Sequence, residues 1–432
     1  MTSIRGSVRP EQGWTAALRK ALFAAPLLAV LSVTAVSGAT SSAQAAAAPV
    51  AATPQSSSAA APGVNKSAGV LALDWGDIDS TPEAGKGNYV VINPWEYDRI
   101  PQMKKDNPDV KVLMYKDVSA TVKRACKNDA CTVDNDILPT GVGYHWAMKH
   151  RPRWFLRDND NKIIEWSDWA GLYPMNIKKR GYQRHWGRNV LRELRRHDWD
   201  GVMMDDVLTY LSHDTVGNKV PRQIPTDRAM YNATERFLKK VAVRIKRKGY
   251  MAVPNVTIEW DNWHSTLTDW TRYVSGWENE YFVKWGLSKR DRFHGADWEW
   301  KMRMAEWCAD RNVPLLAITY STLDDTAAQI YHRATWLLTW NGRTGSSIFV
   351  PEEDWTNHWI PTPTVEIGDP AGDRFVVGSS GVHRRNYTDG VVLVNPTRES
   401  QTVELGASYR TLGGRSTDRV TLAPMSGEIL RK

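Results

Sequence analysis

The sequence predicts a (β/α)8 barrel followed by a small C-terminal antiparallel β-domain. Eight short apolar runs, rich in β-branched residues, lie between residues 69 and 351 and alternate with longer amphipathic segments. Continuous apolar runs are typical of parallel strands that are buried on both faces, and eight such units match a barrel of about 250 residues. After residue 351 the helical periodicity stops, and short strands separated by turns follow.

The predicted elements can be placed along the chain. The barrel strands are Gly69–Trp75, Tyr89–Asn93, Val110–Lys116, Gly201–Asp205, Tyr250–Asn255, Tyr273–Trp277, Val313–Tyr320 and Ser346–Val350. Helices are predicted over Tyr182–Arg196, Thr226–Lys248, Trp298–Arg311 and Thr326–Thr339. The C-terminal strands are Phe375–Val377, Gly390–Val394, Thr402–Leu405 and Val420–Leu422. An open doubly wound sheet is the alternative, but no glycine-rich phosphate loop follows the first strand.

The N-terminal region is typical of an exported protein. Residues 5–20 carry basic side chains, an apolar run covers 21–36, and Ala43-Gln44-Ala45 fits a signal-peptidase site. We therefore expect a cleaved signal peptide over 1–45 and a secreted protein without stable membrane insertion, with a single N-terminal anchor as the alternative. An Ala/Ser/Pro-rich linker is predicted over 46–67, the barrel over 68–355 and a β-sandwich-like C-terminal domain over 356–432.

Composition excludes several classes of protein. The 432 residues are 42% hydrophobic and 24% charged, which excludes a disordered or collagen-like chain. The net charge is +8, but the basic clusters lie at helical spacing and accompany no known nucleic-acid module, so we expect no nucleic-acid partner. Tryptophan is abundant, with 21 residues against 7 phenylalanines. Indoles stack on flat apolar faces such as those of sugars.

The three cysteines predict at most one disulfide bond. Cys126 and Cys131 are close enough in sequence to close a small loop in an oxidising compartment. Cys308 lies in a helical pattern and is predicted to be a buried free thiol. No second cysteine pair completes a zinc site, and we expect neither a metal nor a cofactor.

The ends of the predicted strands collect carboxylates, amides and indoles at one rim, where a barrel carries its chemistry. These groups suit the hydroxyls and faces of sugars. Each could also be a packing residue or a hydrogen-bonding group of the barrel end. We predict substrate contacts for Asp74, Trp75, Trp95, Lys116, Trp169, Asn255 and Tyr320.

Two strands end in paired acids. The fourth strand ends in Asp205 and Asp206, and a helix N-cap would account for only one of them. Just after the predicted sixth strand, alternation continued past Trp277 places Glu278 and Glu280 on one side. Aromatic neighbours would desolvate Glu280 and raise its pKa, as a general acid requires, whereas the alternative is a salt bridge with Lys284.

Two facing carboxylates are the minimum for glycosidic hydrolysis. We predict that Asp205 is the nucleophile or base and that Glu280 is the acid, with Asp206 and Glu278 as further catalytic candidates. A separation of about 5–5.5 Å between the carboxyl groups would give retention and about 6.5–9.5 Å inversion. The sequence leaves this distance open.

The segments Asp200–Val207 and Asn279–Phe282 resemble barrel glycosidases related to endo-alpha-1,4-polygalactosaminidases. They are more similar to hypothetical glycosyl hydrolase family 15, which occurs in secreted actinobacterial proteins. The resemblance spans about Gly69 to Pro351 and implies a (β/α)8 barrel that acts on a polysaccharide. It places the two acids on Asp205 and Glu280. The Asp205-Asp206 pair replaces the Asp-Asn of polygalactosaminidases, so the reactive oxygen stays open, as does the choice between Glu278 and Glu280.

Two other functions are compatible with parts of the sequence. A metal-dependent polysaccharide deacetylase would also carry an Asp pair after a strand, but the closely spaced His145 and His150 precede that pair. A non-catalytic carbohydrate-binding barrel is the second alternative. No G-x-S-x-G motif supports a serine hydrolase. We expect a secreted, monomeric glycoside hydrolase that acts on a polysaccharide or oligosaccharide.

Overall fold

The computed structural model describes residues 65–71, 84–123, 139–166, 171–211, 219–284, 292–351 and 365–432. Within these ranges eight parallel strands close into a barrel, in the cyclic order β1, β2, β3, β6, β7, β8, β9, β10. The barrel strands are β1 (Asn65–Leu71), β2 (Gly87–Ile92), β3 (Lys111–Asp117), β6 (Gly201–Val207), β7 (Met251–Val256), β8 (Trp277–Glu280), β9 (Leu315–Ser321) and β10 (Ser346–Pro351). Strands β4 (Ala120–Val122) and β5 (Leu172–Pro174) pair with each other outside the barrel.

Helices connect the strands. They are α1 (Ile100–Asp106), α2 (Tyr144–His150), α3 (Arg180–Leu194), α4 (Asp227–Lys240), α5 (Ala242–Lys246), α6 (Trp263–Trp270), α7 (Gly295–Asp310) and α8 (Thr326–Thr339). Short 3-10 turns cover Ala84–Lys86, Pro94–Arg99, Pro152–Trp154 and Thr271–Tyr273. Side-chain oxygens cap two helix N-termini: Thr226 accepts the N–H of Ala229, and Asp325 that of Ala328. No helix in the described ranges is long and apolar enough to cross a membrane.

Alternation along the strands divides the barrel core into two layers. Successive side chains point to opposite faces of a strand. One set fills the barrel interior and includes Leu113, Met203, Val253, Leu316 and Ile348. The other set packs under the helices and includes Val112, Met114, Val202, Met204 and Ala317. The same alternation decides which side chains at the strand ends face the interior.

The (β/α)8 barrel and the C-terminal β-domain are confirmed, and the differences in the barrel are local. The sixth barrel strand is β8, not Tyr273–Trp277, because Tyr273 and Val274 pack in the outer core and pairing with β9 begins at Trp277. The predicted helix over 226–248 is divided into α4 and α5 at Val241. Strand β1 begins at Asn65, before the predicted start of the barrel at 68.

The early start of β1 has a packing reason. Asn65 and Ser67 are buried and accept hydrogen bonds from the guanidinium group of Arg333 on α8. Arg333 also donates to the hydroxyl of Ser347 on β10. These bonds hold the first and last barrel strands together, because one buried cation is shared between them.

The C-terminal domain is one antiparallel sheet with the order β11, β12, β13, β16, β14, β15. Its strands are β11 (Phe375–Val376), β12 (His383–Tyr387), β13 (Gly390–Asn395), β14 (Gln401–Arg410), β15 (Ser416–Leu422) and β16 (Ser426–Arg431). The sheet packs against α8, where Arg385 donates to the carbonyl oxygens of Leu337, Leu338 and Trp340. A buried arginine therefore satisfies the free carbonyls at the end of this helix. The predicted domain boundary at 355/356 lies outside the described residues.

A buried ion pair joins β3 to α3. Lys116 Nζ lies 2.7 Å from Glu193 Oε2, with side chains 1% and 2% exposed. Lys116 alternates with its inward neighbour Tyr115 and so points to the helix layer. A charge pair removed from water in this way is costly to break from one side only.

We predict that Lys116→Met lowers the free energy of unfolding by about 3–5 kcal/mol, because it leaves the Glu193 carboxylate buried without its cation. The double variant Lys116→Met/Glu193→Leu should recover most of this loss. Urea unfolding followed by tryptophan fluorescence measures both. As a control, Arg419→Met removes an ion pair whose side chains are 64% and 65% exposed, and it should cost under about 1 kcal/mol. Equal losses in the single and double variants would contradict the prediction.

Candidate active site

Five neighbouring barrel strands each contribute one side chain to a connected polar cluster at their carboxyl ends. The strands are β3, β6, β7, β8 and β9, and the side chains are Tyr115, Asp205, Asn255, Glu280 and Tyr320. Each of these positions faces the barrel interior by the alternation of its strand. The cluster therefore lies where a barrel carries its chemistry.

The Asn255 amide connects the two principal acids. Its Nδ2 donates to Asp205 Oδ1 at 2.9 Å and to Glu280 Oε2 at 2.7 Å. Two bonds of these lengths from one nitrogen keep the two acceptor oxygens within about 5.6 Å of each other. Asp205 and Glu280 thus share one small space at the mouth of the barrel.

Asp205 accepts hydrogen bonds through both carboxyl oxygens. The Tyr115 hydroxyl donates to Oδ2 at 2.6 Å, while Asn255 and the backbone N–H of Asp206 donate to Oδ1 at 2.9 and 2.8 Å. Three donors from three directions fix the orientation of this carboxyl group. A reacting group benefits from such preorganisation because little reorganisation is then needed during the reaction.

A bulge in β6 produces part of this arrangement. The register between β6 and β7 shifts between Met204 and Val207, and Asp206 has a left-handed φ of 54°. Met204 and Val207 both pack in the outer core, so one extra residue has been inserted between them. The bulge directs the Asp206 N–H to the Asp205 carboxyl group. Left-handed conformations of residues other than glycine are uncommon and cluster at functional sites.

Glu280 is held in a form suited to donating a proton. Burial, followed by the negative charge of Asp205, raises the pKa of Glu280 to about 7, although hydrogen bonds from Tyr320 and Asn255 act in the opposite direction. The Tyr320 hydroxyl donates to Oε1, and the Asn255 amide donates to Oε2. A carboxyl group with this pKa is partly protonated near neutral pH.

Three further acids surround the pair. Burial and the charge of Asp205 raise the pKa of Asp117 to about 7, against the backbone N–H of Ala120, which lowers it. Burial, then the charges of Asp205 and Asp117, raise the pKa of Asp206 well above its usual range. Burial, then the charge of Glu280, has the same effect on the pKa of Glu278. The site therefore holds more carboxyl groups than negative charges at neutral pH.

The structure brings together Asp205, Asp206, Asn255, Glu280 and Tyr320. Other predicted site residues are placed elsewhere. Glu278 is fully buried below Glu280, and neither of its carboxyl oxygens has a hydrogen-bond partner among the described residues. Lys116 lies in the helix layer with Glu193, and the half-buried Trp95 follows the carboxyl end of β2. Five predicted residues lie outside the described ranges, namely Asp74, Trp75, Cys126, Cys131 and Trp169.

The structure also places Lys284 and Cys308, for which the sequence suggests a salt bridge and a buried free thiol. Lys284, the possible partner of Glu280, has its Nζ 4.0 Å from Asp325 Oδ2. Cys308 is a buried free thiol, as expected, and burial raises its pKa to about 12. Among the described residues, no group of three or more His, Cys, Asp or Glu side chains is arranged to hold a metal ion.

Sequence reasoning did not select Tyr115 and Asp117 as site residues. Both flank Lys116 at the end of β3, and the charge of the lysine drew the prediction to that position. Strict alternation from Leu113, which lies in the barrel interior, would have placed Tyr115 and Asp117 inward and Lys116 outward. The two-residue alternation along β3 is thus the pattern that points to Tyr115 and Asp117.

Comparison with known proteins identifies the family. The sequence model of hypothetical glycosyl hydrolase family 15 matches residues 104–391. The chain belongs to this family. It is a glycoside hydrolase, which decides against the non-catalytic alternative. No curated protein matches the chain.

Several solved structures are similar to this chain at low identity. The glycoside hydrolase domain of PelA from Pseudomonas aeruginosa is 12% identical, with a TM-score of 0.42, and the match covers 67% of this chain and 96% of that one. Aspergillus fumigatus Ega3 in complex with galactosamine is 13% identical, with a TM-score of 0.40 and coverage of 69% and 94%. An alpha-amylase from Geobacillus thermoleovorans complexed with acarbose is 13% identical, with a TM-score of 0.40 and coverage of 78% and 81%.

We predict that Tyr320→Phe moves the alkaline limb of the pH–rate profile to higher pH. If Glu280 must be protonated to act, kcat/KM falls as the pH rises through about 7. The Tyr320 hydrogen bond lowers the pKa of Glu280, so its removal raises that pKa and extends the active range upward. The measurement is kcat/KM from pH 5 to 9 on any glycan or aryl glycoside that the enzyme cleaves.

The matched control for this profile is Tyr331→Phe. It removes another buried hydroxyl, which donates to the carbonyl oxygen of Phe293 away from the site. This variant should leave the alkaline limb where it is. A limb that moves to lower pH in Tyr320→Phe, or that moves equally in both variants, would show that Glu280 does not control it.

Proposed function

We propose that this glycoside hydrolase cleaves a polysaccharide by a two-carboxylate mechanism with retention of anomeric configuration. Asp205 is the nucleophile and Glu280 is the acid and later the base. The observation that carries the proposal is the Asn255 amide, which hydrogen-bonds Asp205 at 2.9 Å and Glu280 at 2.7 Å. It brings both carboxyl groups to one glycosidic bond.

The spacing of the two acids supports retention. The two carboxyl oxygens that share the Asn255 amide are at most about 5.6 Å apart, a limit that is compatible with the separation of about 5–5.5 Å between the carboxyl groups of retaining enzymes. Inverting enzymes keep about 6.5–9.5 Å between the carboxyl groups to admit a water molecule. The space between Asp205 and Glu280 favours direct attack by the carboxylate over attack by an interposed water.

The roles follow from the surroundings of each acid. Glu280, with a pKa of about 7, donates its proton to the glycosidic oxygen, and the leaving sugar departs as an alcohol. Asp205, oriented by three hydrogen-bond donors, attacks the anomeric carbon and forms a glycosyl ester. Glu280, now ionised, then removes a proton from water, and the resulting attack on the anomeric carbon releases Asp205.

A polysaccharide substrate is supported by the chemistry of the rim and by the family. The cluster presents carboxyl, amide and phenol groups, which recognise sugar hydroxyls as donors and acceptors. Family membership establishes glycosidic bonds as the target. The sugar can be found by a screen of cell-wall polysaccharides from actinobacteria and fungi, together with amylose, chitosan and polygalacturonate, with products identified by mass spectrometry.

We predict that Asp205→Asn and Glu280→Gln each lower kcat by about 10²–10⁴-fold, because each removes a reacting carboxyl group. Proton NMR of the first products should show the anomeric configuration of the cleaved linkage. Glu404→Gln, which neutralises an exposed carboxylate of the C-terminal sheet, is the matched control and should keep the wild-type rate. Rates within about threefold of wild type in either site variant would refute the assignment, and an inverted first product would refute retention.

We also propose that the mature enzyme is secreted. The support is the basic, then apolar, then small-residue pattern of residues 1–45, which ends in Ala43-Gln44-Ala45. Action on a polysaccharide outside the cell requires such export.

When the full chain is expressed in a secreting Gram-positive host, we expect the protein in the medium to begin at Ala46. N-terminal sequencing measures this directly. Ala45→Leu places a bulky side chain at the cleavage site and should leave an uncleaved, cell-associated precursor. Ala47→Leu, just beyond the site, should be processed normally. An uncleaved wild-type chain retained in the membrane would instead support an N-terminal anchor.

A further inference from the structure

A cavity separate from the active-site cluster lies at the loops that follow β6 and β7 and at the start of α4. It has a volume of about 540 Å³, which is within the range of small-molecule sites, and its walls include residues 209–210, 227–228, 231 and 259–262. None of these residues belongs to the cluster around Asp205 and Glu280. The cavity therefore needs an explanation of its own.

The walls of the cavity are formed partly by chain segments that directly follow active-site residues. Thr209 lies four residues after Asp205, so their Cα atoms are at most about 14 Å apart. The Thr209 N–H donates to the Thr257 hydroxyl at 2.9 Å, and Thr257 follows Asn255 by two residues. The extensions of the two strands that hold Asp205 and Asn255 thus run side by side into the walls of the cavity.

Trp260 is the prominent apolar group of the cavity. Its side chain is 69% exposed, the highest value among the large exposed hydrophobic residues in the described ranges. The turn that carries it is fixed, because Asn262 Oδ1 accepts the N–H of Glu259 at 2.9 Å and the turn leads directly into α6. A large exposed indole on a fixed turn at a cavity wall can serve as a platform for the flat face of a sugar ring.

Polar groups surround the indole and carry a net negative charge. Tyr210 donates to Glu259 Oε1 at 2.7 Å, which orients this carboxylate at the wall. Asp227 and Asp261 add two further acids, and Arg228 is the one cation among the described residues that line the cavity. These oxygens can accept hydrogen bonds from sugar hydroxyls, whereas they would repel the carboxylates of an acidic polysaccharide.

We propose that this cavity is a substrate subsite that binds a further sugar residue of the polysaccharide. The bound sugar carries no acidic group, its ring stacks on Trp260, and its hydroxyls face Glu259. The inference rests on the proposed function and deepens it. Because the subsite lies beyond the reacting carboxyl groups, it contributes binding energy only when the substrate is long enough to reach it. The enzyme is thus selective for chains over short glycosides and for uncharged or basic glycans over polyanions.

The test compares Trp260→Ala with wild type on the polysaccharide that the screen above shows to be cleaved, and on a short aryl glycoside of the same sugar. We expect KM for the polysaccharide to rise about tenfold, with a much smaller change for the aryl glycoside, because only the chain reaches the indole. Trp260→Phe, which keeps an aromatic face, should recover most of the loss. Phe375→Ala, which removes another exposed aromatic ring on the C-terminal sheet, is the matched control and should change neither substrate.

The outcomes separate the subsite from the proposed function. An unchanged KM for the polysaccharide in Trp260→Ala, or equal changes for both substrates, would overturn the subsite and leave the assignment of Asp205 and Glu280 intact. Preferred cleavage of polygalacturonate would also overturn it. A third outcome is that wild type cleaves no glycan in the screen but Asp205→Asn still binds one of them, seen as retarded migration in affinity electrophoresis with that glycan. If the double variant Asp205→Asn/Trp260→Ala is then not retarded, the subsite stands and the catalytic proposal fails.

Discussion

The bridging of Asp205 and Glu280 by the Asn255 amide is the constraint on which the site depends. Two carboxyl groups at this distance in a low-dielectric barrel mouth cannot both ionise cheaply. The surroundings of the two groups differ. Asp205 accepts hydrogen bonds from three donors, including the N–H of Asp206, whereas burial favours the protonated form of Glu280. One amide group thus holds a carboxyl group whose pKa is raised beside one that three donors orient.

The barrel supplies this geometry through two ordinary features. Alternation turns every second side chain inward, and parallel strands bring their carboxyl ends to the same rim. The bulge in β6 adds the one departure from regularity, and it aims a backbone N–H at the Asp205 carboxyl group. Because these features belong to strands that are buried on both sides, the site is held on rigid elements and not on loops.

Much of this was predictable from strand ends, and the failures have physical causes. Asp205, Asn255 and Tyr320 were found because polar residues that end apolar strands stand out. The position of β8 was missed because its inward face carries Glu278 and Glu280, so the strand lacks the apolar run that identified the others. Strand β12 was missed for a similar reason, since its sequence HRRNY is polar throughout. No periodicity in one sequence reveals the bulge or the bridging amide, because both depend on register between strands.

The excess of buried acids also shapes the stability of the fold. Asp117 and Glu280 have pKa values of about 7, against ordinary values of 3.8 and 4.5. Because the folded state favours their protonated forms, their contribution to stability is fully present below about pH 4 and is lost as the pH rises toward 7. Glu278 adds to this effect, since burial and then the charge of Glu280 raise its pKa well above the usual range. The fold thus gives up stability at neutral pH by holding several buried carboxyl groups together at the barrel mouth, and the hydrophobic layers on both sides of the barrel strands must supply the difference.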